Sequence, residues 1–242
     1  MLVAAAVGCG GDSGDAESAD GGGETAESTE QLPKGAEPVR LDPTEFTIRI
    51  DNLYLPLSPG SRWVYREVEN GRTQRVEVTV TRKTRRVDGI RARVVHDVVT
   101  AGGEPIEKTY DWYAQDSAGN VWYMGEDTKE YEHGKVASTE GSWEAGVDGA
   151  QAGIAMPADP RVGMSYRQEY YAGVAEDRGR VLSVDARASV PHGHFIHAVM
   201  TEDSTPLEPL VEHKVYARGI GAVQTVAVAG GSGREVLVSF RR

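Results

Sequence analysis

The feature that most constrains the fold is an alternation of apolar and polar residues that recurs along the chain after residue 46. In residues 76–81 each valine is followed by Glu or Thr, and residues 181–190 and 236–240 also carry an apolar residue at every second position. A period of two is typical of a β-strand with one buried face, because successive side chains point to opposite faces. The pattern predicts an all-β chain, and no segment shows the sustained apolar stripe of a capped helix.

Turn dipeptides separate these runs, namely Asn70-Gly71, Asp88-Gly89, Gly119-Asn120 and His133-Gly134. Asn-Gly and Asp-Gly supply the positive φ angles that tight hairpins require, so neighbouring strands are expected to pair antiparallel. The predicted strands are 46–50, 62–69, 72–84, 90–100, 105–114, 120–125, 164–172, 178–190, 194–201, 210–217, 221–229 and 233–241.

Residues 144–163 are rich in Gly and Pro, and we predict a long loop there between two sets of six strands. The loop could mark a domain boundary. We favour a loop that crosses one sheet, since the strands close a core better together than apart. The predicted fold is all-β, a large antiparallel meander that forms a curved sheet or open barrel as a single domain over residues 41–242.

Residues 10–40 differ in composition from the rest of the chain. They consist mostly of Gly, Ser, Ala, Asp, Glu and Thr and contain few apolar residues. Such a segment cannot bury enough surface to offset the entropy lost on ordering. We therefore predict a disordered acidic linker over residues 10–40.

The single cysteine, Cys9, follows a short apolar stretch at residues 2–8. A turn of small residues leading into cysteine resembles the lipobox of bacterial lipoproteins, in which the thiol is acylated. Ala6 stands where Leu is usual, and no basic residue precedes the apolar stretch. We interpret residues 1–9 as the remnant of a signal peptide with a lipobox, and we expect the true start upstream. Lipid at Cys9 would hold the domain on the extracytoplasmic face of the cell membrane; an unmodified cysteine is the alternative.

The net charge of the chain limits the kinds of partner that it can bind. The chain has 37 Asp and Glu against 26 Lys and Arg, a net charge of −11. An acidic chain repels phosphate backbones, so we expect no nucleic-acid partner. No run approaches the roughly 18 apolar residues of a membrane span. The expected membrane contact is therefore the lipid anchor alone, and we expect a monomer.

Several motifs together suggest a family. They are Asn52-Leu53-Tyr54-Leu55-Pro56-Leu57-Ser58-Pro59-Gly60 with Trp63-Val64-Tyr65, Asp111-Trp112-Tyr113-Ala114-Gln115-Asp116, Gly119-Asn120-Val121-Trp122-Tyr123, Thr139-Glu140-Gly141-Ser142-Trp143-Glu144-Ala145-Gly146, and Glu212-His213-Lys214-Val215-Tyr216-Ala217. In these segments, which extend over nearly everything after residue 50, the chain resembles an uncharacterised family of bacterial secreted lipoproteins with a meandering β-sheet domain. The resemblance implies a secreted β fold, and no activity comes with it.

Aromatic residues concentrate in the middle strands and are candidates to line a pocket. We favour their packing in the core, and we place Tyr110 and Trp112 on the interior face of their strand together with Lys108. The alternative is a concave pocket for an apolar ligand or a glycan. The candidate ligand-binding residues are Trp63, Tyr65, Tyr110, Trp112, Trp122, Tyr166 and Tyr170.

Three histidines follow Pro191 in the pattern H-x-H-x-x-H. On a strand, His192 and His194 would share a face, the geometry that two imidazoles need to bind one Zn²⁺ or Cu²⁺. His197 would lie on the other face. We favour solvated turn histidines over this metal site.

Acidic residues offer two further candidate sites. Glu126, Asp127, Glu130 and Glu132 cluster as Ca²⁺ ligands do, although we favour a solvated acidic turn. Paired carboxylates could also serve a glycosidase. The candidates for such a pair are Asp111, Glu126, Glu140, Glu144, Glu169 and Glu176.

The sequence contains no G-x-S-x-G, H-E-x-x-H or G-x-x-x-x-G-K pattern, and we predict no catalytic residue and no cofactor. The expected function is that of an extracytoplasmic, lipid-anchored binding or structural module of the bacterial cell envelope. The alternative is a divalent-cation-dependent envelope hydrolase that uses paired carboxylates.

The lipid anchor gives a first prediction. Expressed behind a complete signal peptide in a host that processes lipoproteins, the chain should partition into detergent, and Cys9→Ala should move it to the aqueous phase. Equal partitioning of the two forms would refute lipid attachment at Cys9.

Overall fold

The structure is a computed structural model that describes residues 32–242. Cys9 and the greater part of the predicted linker lie outside the described residues. Within them the chain forms β-strands and one short 3₁₀ helix at Pro43–Glu45. In this range no helix has the length and apolar character needed to cross a membrane.

The strands of the described range are numbered in chain order. They are β1 (Phe46–Thr47), β2 (Arg62–Glu69), β3 (Arg72–Val87), β4 (Ile90–Ala101), β5 (Glu104–Asp116), β6 (Val121–Glu132), β7 (Lys135–Ser138), β8 (Trp143–Glu144), β9 (Gln151–Met156), β10 (Ser165–Arg167), β11 (Glu169–Tyr170), β12 (Arg178–Val190), β13 (Gly193–Ser204), β14 (Val211–Ala217), β15 (Gly221–Ala229) and β16 (Arg234–Arg241). The bounds of β2, β12 and β15 coincide with predicted strands.

The strands form one antiparallel sheet in the order β10-β12-β13-β14-β15-β16-β2-β3-β4-β5-β6-β9-β11. Strand β1 pairs with β5, while β7 and β8 pair with β6. The two ends of this order, β10 and β11, are separated in the chain by Gln168 alone. The sheet therefore nearly closes on itself, and the predicted all-β meander is confirmed as a barrel-like sheet.

The hairpin turns have the predicted backbone conformation. Asn70, Asp88 and His133 have φ angles of 48°, 43° and 52°, and each is followed by a glycine with positive φ. Positive φ at both central residues twists the turn to match the right-handed twist of the strands. Short turns of this kind keep consecutive strands adjacent along most of the barrel wall.

The predicted loop at 144–163 is wrong, because it contains β9. This strand pairs with β6 on one side and with β11 on the other. Its sequence, Gln-Ala-Gly-Ile-Ala-Met, lacks alternation, and most of its residues are buried. A Cβ atom on Gly153 would overlap the main chain of Gln168, so a residue without a side chain is needed there.

Residues 32–40, which the sequence assigned to the linker, pack on the barrel. The Arg167 main-chain N–H donates to Pro33 O over 2.7 Å, and its Nη1 donates to the carbonyls of Gly35 and Glu37 over 2.5 and 2.6 Å. Nε and Nη2 donate to Ala152 O on β9 over 3.1 and 3.0 Å. Arg167 is 1% exposed, so these carbonyls take the place of water around a buried guanidinium.

This contact predicts where truncation becomes harmful. A chain that begins at residue 38 should lose about 2 kcal/mol of unfolding free energy, because charged donors in the interior lose their acceptors. The melting temperature should fall by roughly 4–8 °C. A chain that begins at residue 32 is the control and should melt like the full chain. Equal melting temperatures for the two truncations would contradict this account of Arg167.

Candidate functional site

Three of the seven candidate aromatic residues face the barrel interior. Trp63 donates from its indole N–H to Ile220 O over 2.9 Å, and the Tyr65 hydroxyl donates to Ala222 O over 3.0 Å. Tyr166 lies on β10 and is 1% exposed. Their polar atoms point at the barrel wall or its interior, and none of the three residues lines the entrance of an open pocket.

The remaining four candidates lie elsewhere in the structure. Tyr110 stacks on His96 with ring centroids 4.4 Å apart, and the Arg85 guanidinium covers Trp112 at 4.0 Å. Trp122 donates to Asp116 over 2.7 Å, and Tyr170 is only half-buried. The seven aromatic residues therefore do not converge on one pocket.

The predicted register of β5 is wrong by one residue. Tyr113 lines an interior cavity together with Asp111, which places the odd-numbered residues of this part of β5 inside. Trp112, Tyr110 and Lys108 occupy the outer face. Trp112 is nevertheless buried, because the Arg85 side chain and residues around Gly125 cover it. Lys108 therefore lies on the outer face with its ammonium over the Tyr131 ring, so this charged group is not buried in the barrel interior.

The end of the barrel near Trp63 is closed by the segment that precedes β2, and we call it the capped end. Leu55 and Leu57 from this segment line a largely apolar cavity of about 40 Å³, whose walls include Trp63, Val78 and Val95 and which extends to Asp111. The space equals a few water molecules. The capped end is thus a packed core with a small void.

The histidines lie away from the interior. His192 is in the turn between β12 and β13 and stacks on Phe195, while His194 contacts the Ser189 hydroxyl. His194 also lines a surface cleft that contains Arg66 and Arg234, whose charges repel a metal cation. Among residues 32–242, no group of three or more His, Cys, Asp or Glu is arranged to hold a metal ion.

The opposite end of the barrel, which we call the acidic end, carries pairs of acidic residues that stand directly opposite each other on neighbouring strands. Inward-facing positions alternate along each strand, so these side chains share the interior face with Tyr65, Leu237 and Tyr216. The pairs are Glu67–Glu235 on β2 and β16, Glu107–Glu130 and Asp111–Glu126 on β5 and β6, and Asp203–Glu212 on β13 and β14. Like charges in directly opposed positions destabilise a sheet.

A cavity of about 70 Å³ lies within the acidic end. Its lining carboxyl groups come from both the strands and the segment that closes the barrel, and Leu207 and Leu210 are among its apolar lining residues. The lining acids are Glu126, Glu169, Asp177, Asp203, Glu208 and Glu212. The cavity has room for several water molecules or for one end of a narrow ligand.

Among the described residues, Lys214 is the lysine that lines this cavity. Its Nζ lies 3.1 Å from Asp203 Oδ2 and 3.4 Å from Glu212 Oε2, so it joins one cross-strand acid pair. Burial opposes the charged ammonium, but Asp203 and Glu212 outweigh it, and the net effect raises the pKa of Lys214. This pair is therefore held as an ionic cluster with one ammonium between two carboxylates.

The Asp111–Glu126 pair is bridged by a tyrosine. The Tyr123 hydroxyl lies 2.8 Å from Asp111 Oδ1 and 2.6 Å from Glu126 Oε2. One hydroxyl has one proton to donate, so one carboxyl must donate in return. Burial, with a further contribution from Asp111, raises the pKa of Glu126 to about 8. The Asp111–Glu126 pair therefore retains a proton more readily than exposed carboxyls do, and the Tyr123 hydroxyl joins the two groups.

The Glu67–Glu235 pair has no such bridge in residues 32–242. Oε2 of Glu67 and Oε2 of Glu235 are buried without a hydrogen-bond partner there, and each residue is 8% exposed. Burial, then nearby acids, raises the pKa of Glu67 to about 7 and that of Glu235 to about 8. This pair holds protons where exposed glutamates would have lost them.

Part of this site is predictable from the amino-acid sequence. Asp111, Glu126 and Glu169 were candidates for a carboxylate pair and meet at the acidic end, whereas Glu144 binds Arg85 and Glu176 caps Gly173. The predicted solvated acidic turn at Glu126–Glu132 is wrong: β6 continues to Glu132, which places Glu126 and Glu130 on a strand. Glu67 and Glu235 were missed. Their signal was present, since Glu67 continues the Trp63, Tyr65 alternation at an inward position.

Comparison with known proteins adds little to this geometry. No family model and no curated protein sequence matches the chain. A crystal structure of a "putative lipoprotein" from Parabacteroides distasonis is similar at a TM-score of 0.43 and 11% sequence identity, over 78% of this chain and 99% of that one. The resemblance to the secreted lipoprotein family thus stays a prediction.

The raised pKa values predict how stability depends on pH. An unfolded chain releases the Glu67 and Glu235 protons near their ordinary pKa of 4.5, whereas the folded chain holds them to about 7 and 8. Between these values unfolding releases protons, so the unfolding free energy should fall as the pH rises from about 5 to about 8, then level off. Urea denaturation at several pH values measures this slope.

The double substitution Glu67→Gln, Glu235→Gln is the matched test of that assignment. It removes the directly opposed carboxyls and should reduce the slope of the decline, with stability at about pH 8 raised by up to about 1 kcal/mol. The rest of the slope comes from other buried acids with raised pKa values, such as Glu107 and Asp177. A wild-type stability that rises across this pH range would contradict burial of the acidic pairs.

Proposed function

We propose that the chain is an extracytoplasmic binding module of the bacterial cell envelope, anchored through Cys9, and that its ligand enters the acidic end of the barrel. The lipobox-like segment around Cys9 and the acidic linker support the location. The cavity bordered by Glu126, Asp203 and Glu212 supports the place of binding.

The observation that carries the proposal is the set of cross-strand acid pairs. Burying carboxyls opposite one another lowers stability, and an apolar pair at the same positions would raise it. Residues that break a local rule of folding without a structural gain are typical of functional sites. Near the capped end the inward positions follow the ordinary rule, with residues such as Trp63, Val78 and Val95, so the opposed acid pairs are confined to the acidic end.

Binding accounts for the pairs better than hydrolysis does. A glycosidase needs an open gap between its two carboxyls for a sugar and, in inverting enzymes, a water. In the Asp111–Glu126 pair the Tyr123 hydroxyl occupies that gap and bonds to both groups. The raised pKa of Glu126 suits a proton donor, but its hydrogen-bond partner is Tyr123 rather than an open substrate site.

Native mass spectrometry of the purified full chain tests this proposal. A co-purified small molecule should appear on the wild-type chain and on Asp159→Asn, whose exposed carboxyl lies in an ion pair with Arg161. The same molecule should be absent from the Glu67→Gln, Glu235→Gln variant. A ligand retained equally by all three forms, or no ligand together with no stabilisation by a metabolite panel, would refute the proposal.

A further inference from the structure

We propose that the acidic end binds a linear organic polyamine, a narrow aliphatic chain that carries two or more ammonium groups. This inference rests on the proposed function and names the ligand class for the same site.

The structure itself contains an example of the required interaction. The Lys214 ammonium lies between the cross-strand carboxyls of Asp203 and Glu212, at 3.1 and 3.4 Å. Glu67 and Glu235 have the same relation to each other: they are register partners on antiparallel neighbours and face the same interior. A second ammonium could therefore lie between Glu67 and Glu235 as the Lys214 ammonium lies between Asp203 and Glu212.

The Glu67–Glu235 pair also has the free bonding capacity that a ligand would use. Within residues 32–242, Oε2 of each glutamate is buried and without a hydrogen-bond partner. A buried polar atom left unpaired is destabilising, and two such atoms on facing residues indicate a place where a donor belongs. An ammonium supplies three donors and a compensating charge.

The pairs are connected around the wall. Lys214 on β14 is the register partner of Thr225 on β15, and Thr225 is in turn the partner of Glu235 on β16. Lys214 and Glu235 thus lie at one level of the barrel with a single strand between them, and the Asp203–Glu212 pair lies two residues further toward the acidic end. Strands are about 4.8 Å apart, so Lys214 and Glu235 are separated by about 10 Å along the wall. A ligand that bridges several carboxyls must be elongated.

An elongated organic cation fits this arrangement better than a metal ion. Ca²⁺ needs six to eight oxygens converging on one point. Here the carboxyls are distributed two by two around the wall, and no metal-holding group occurs among the described residues. The cavity of about 70 Å³ is lined by Leu207 and Leu210, which supply contacts for methylene groups, and it admits one end of a thin chain. Glu67 and Glu235 do not line this cavity, so the other end of the chain must extend along the wall to reach them.

Isothermal titration of the full chain with spermidine, a linear triamine, tests the proposal. Spermidine should bind at about pH 8 and bind about tenfold more weakly at about pH 5.5, because the glutamates must release protons to accept the ammonium groups. The Glu67→Gln, Glu235→Gln variant should lose binding by about tenfold or more, and Asp159→Asn should bind like the wild type.

The melting temperature separates loss of a site from loss of the fold. The Gln variant should melt at or above the wild-type temperature, since it relieves repulsion between opposed carboxyls. Should the double variant not fold, Glu235→Gln alone carries the same test.

Three results would overturn the inference: equal affinity of spermidine for wild type and variant, displacement of spermidine by equimolar Ca²⁺, or binding of a lysine-rich peptide in place of the free amine. A different co-purified molecule that is lost from the Gln variant would refute the polyamine while leaving the proposed function standing. Absence of every ligand would refute both.

Discussion

The structure depends on the closure of its sheet at Gln168. The chain on one side of this residue pairs with β12, and the chain on the other side pairs with β9. The Gln168 main-chain N–H donates to Asp177 O over 2.7 Å, and its side-chain amide donates to Asp203 over 3.0 Å. Closure requires small neighbours: a Cβ atom on Gly179 would lie 2.6 Å from the Tyr166 ring, and Gly153 faces the Gln168 main chain. Without this seam the sheet would have two free edges and an open interior.

Closure also explains how one barrel contains two different interiors. A nearly continuous wall fixes which residue of each strand points inward, so a glutamate at an inward position cannot reach water by turning over. At the capped end the inward positions hold residues such as Trp63, Val76 and Leu237, whose burial stabilises the fold. That apolar packing offsets the repulsion at the acidic end, where retained protons on Glu126 and Glu235 and the ammonium of Lys214 reduce the charge.

Local patterns were sufficient to predict most of the wall but not its closure or its chemistry. Alternation and turn dipeptides predicted β2, β12 and β15 to the residue, because each has one buried face and a sharp turn at its end. Strand β9 was missed since both its faces are covered and its small residues serve the seam. The prediction that Trp112 faces the interior was wrong because a bulge and the covering Arg85 side chain bury residues on both faces of β5. Which acids meet depends on register between strands distant in the chain, such as β2 and β16, and no local pattern encodes it.

The central claim is that Glu67 and Glu235 face each other inside the barrel and remain available to a cationic ligand. Carbon-13 NMR of the side-chain carboxyls, followed through a pH titration of the intact chain, measures both residues directly. The account predicts pKa values of about 7 for Glu67 and about 8 for Glu235, because burial disfavours their charged forms. Two carboxyls that titrate near their ordinary pKa of 4.5 would show that they are in contact with water, and the acidic interior would be refuted.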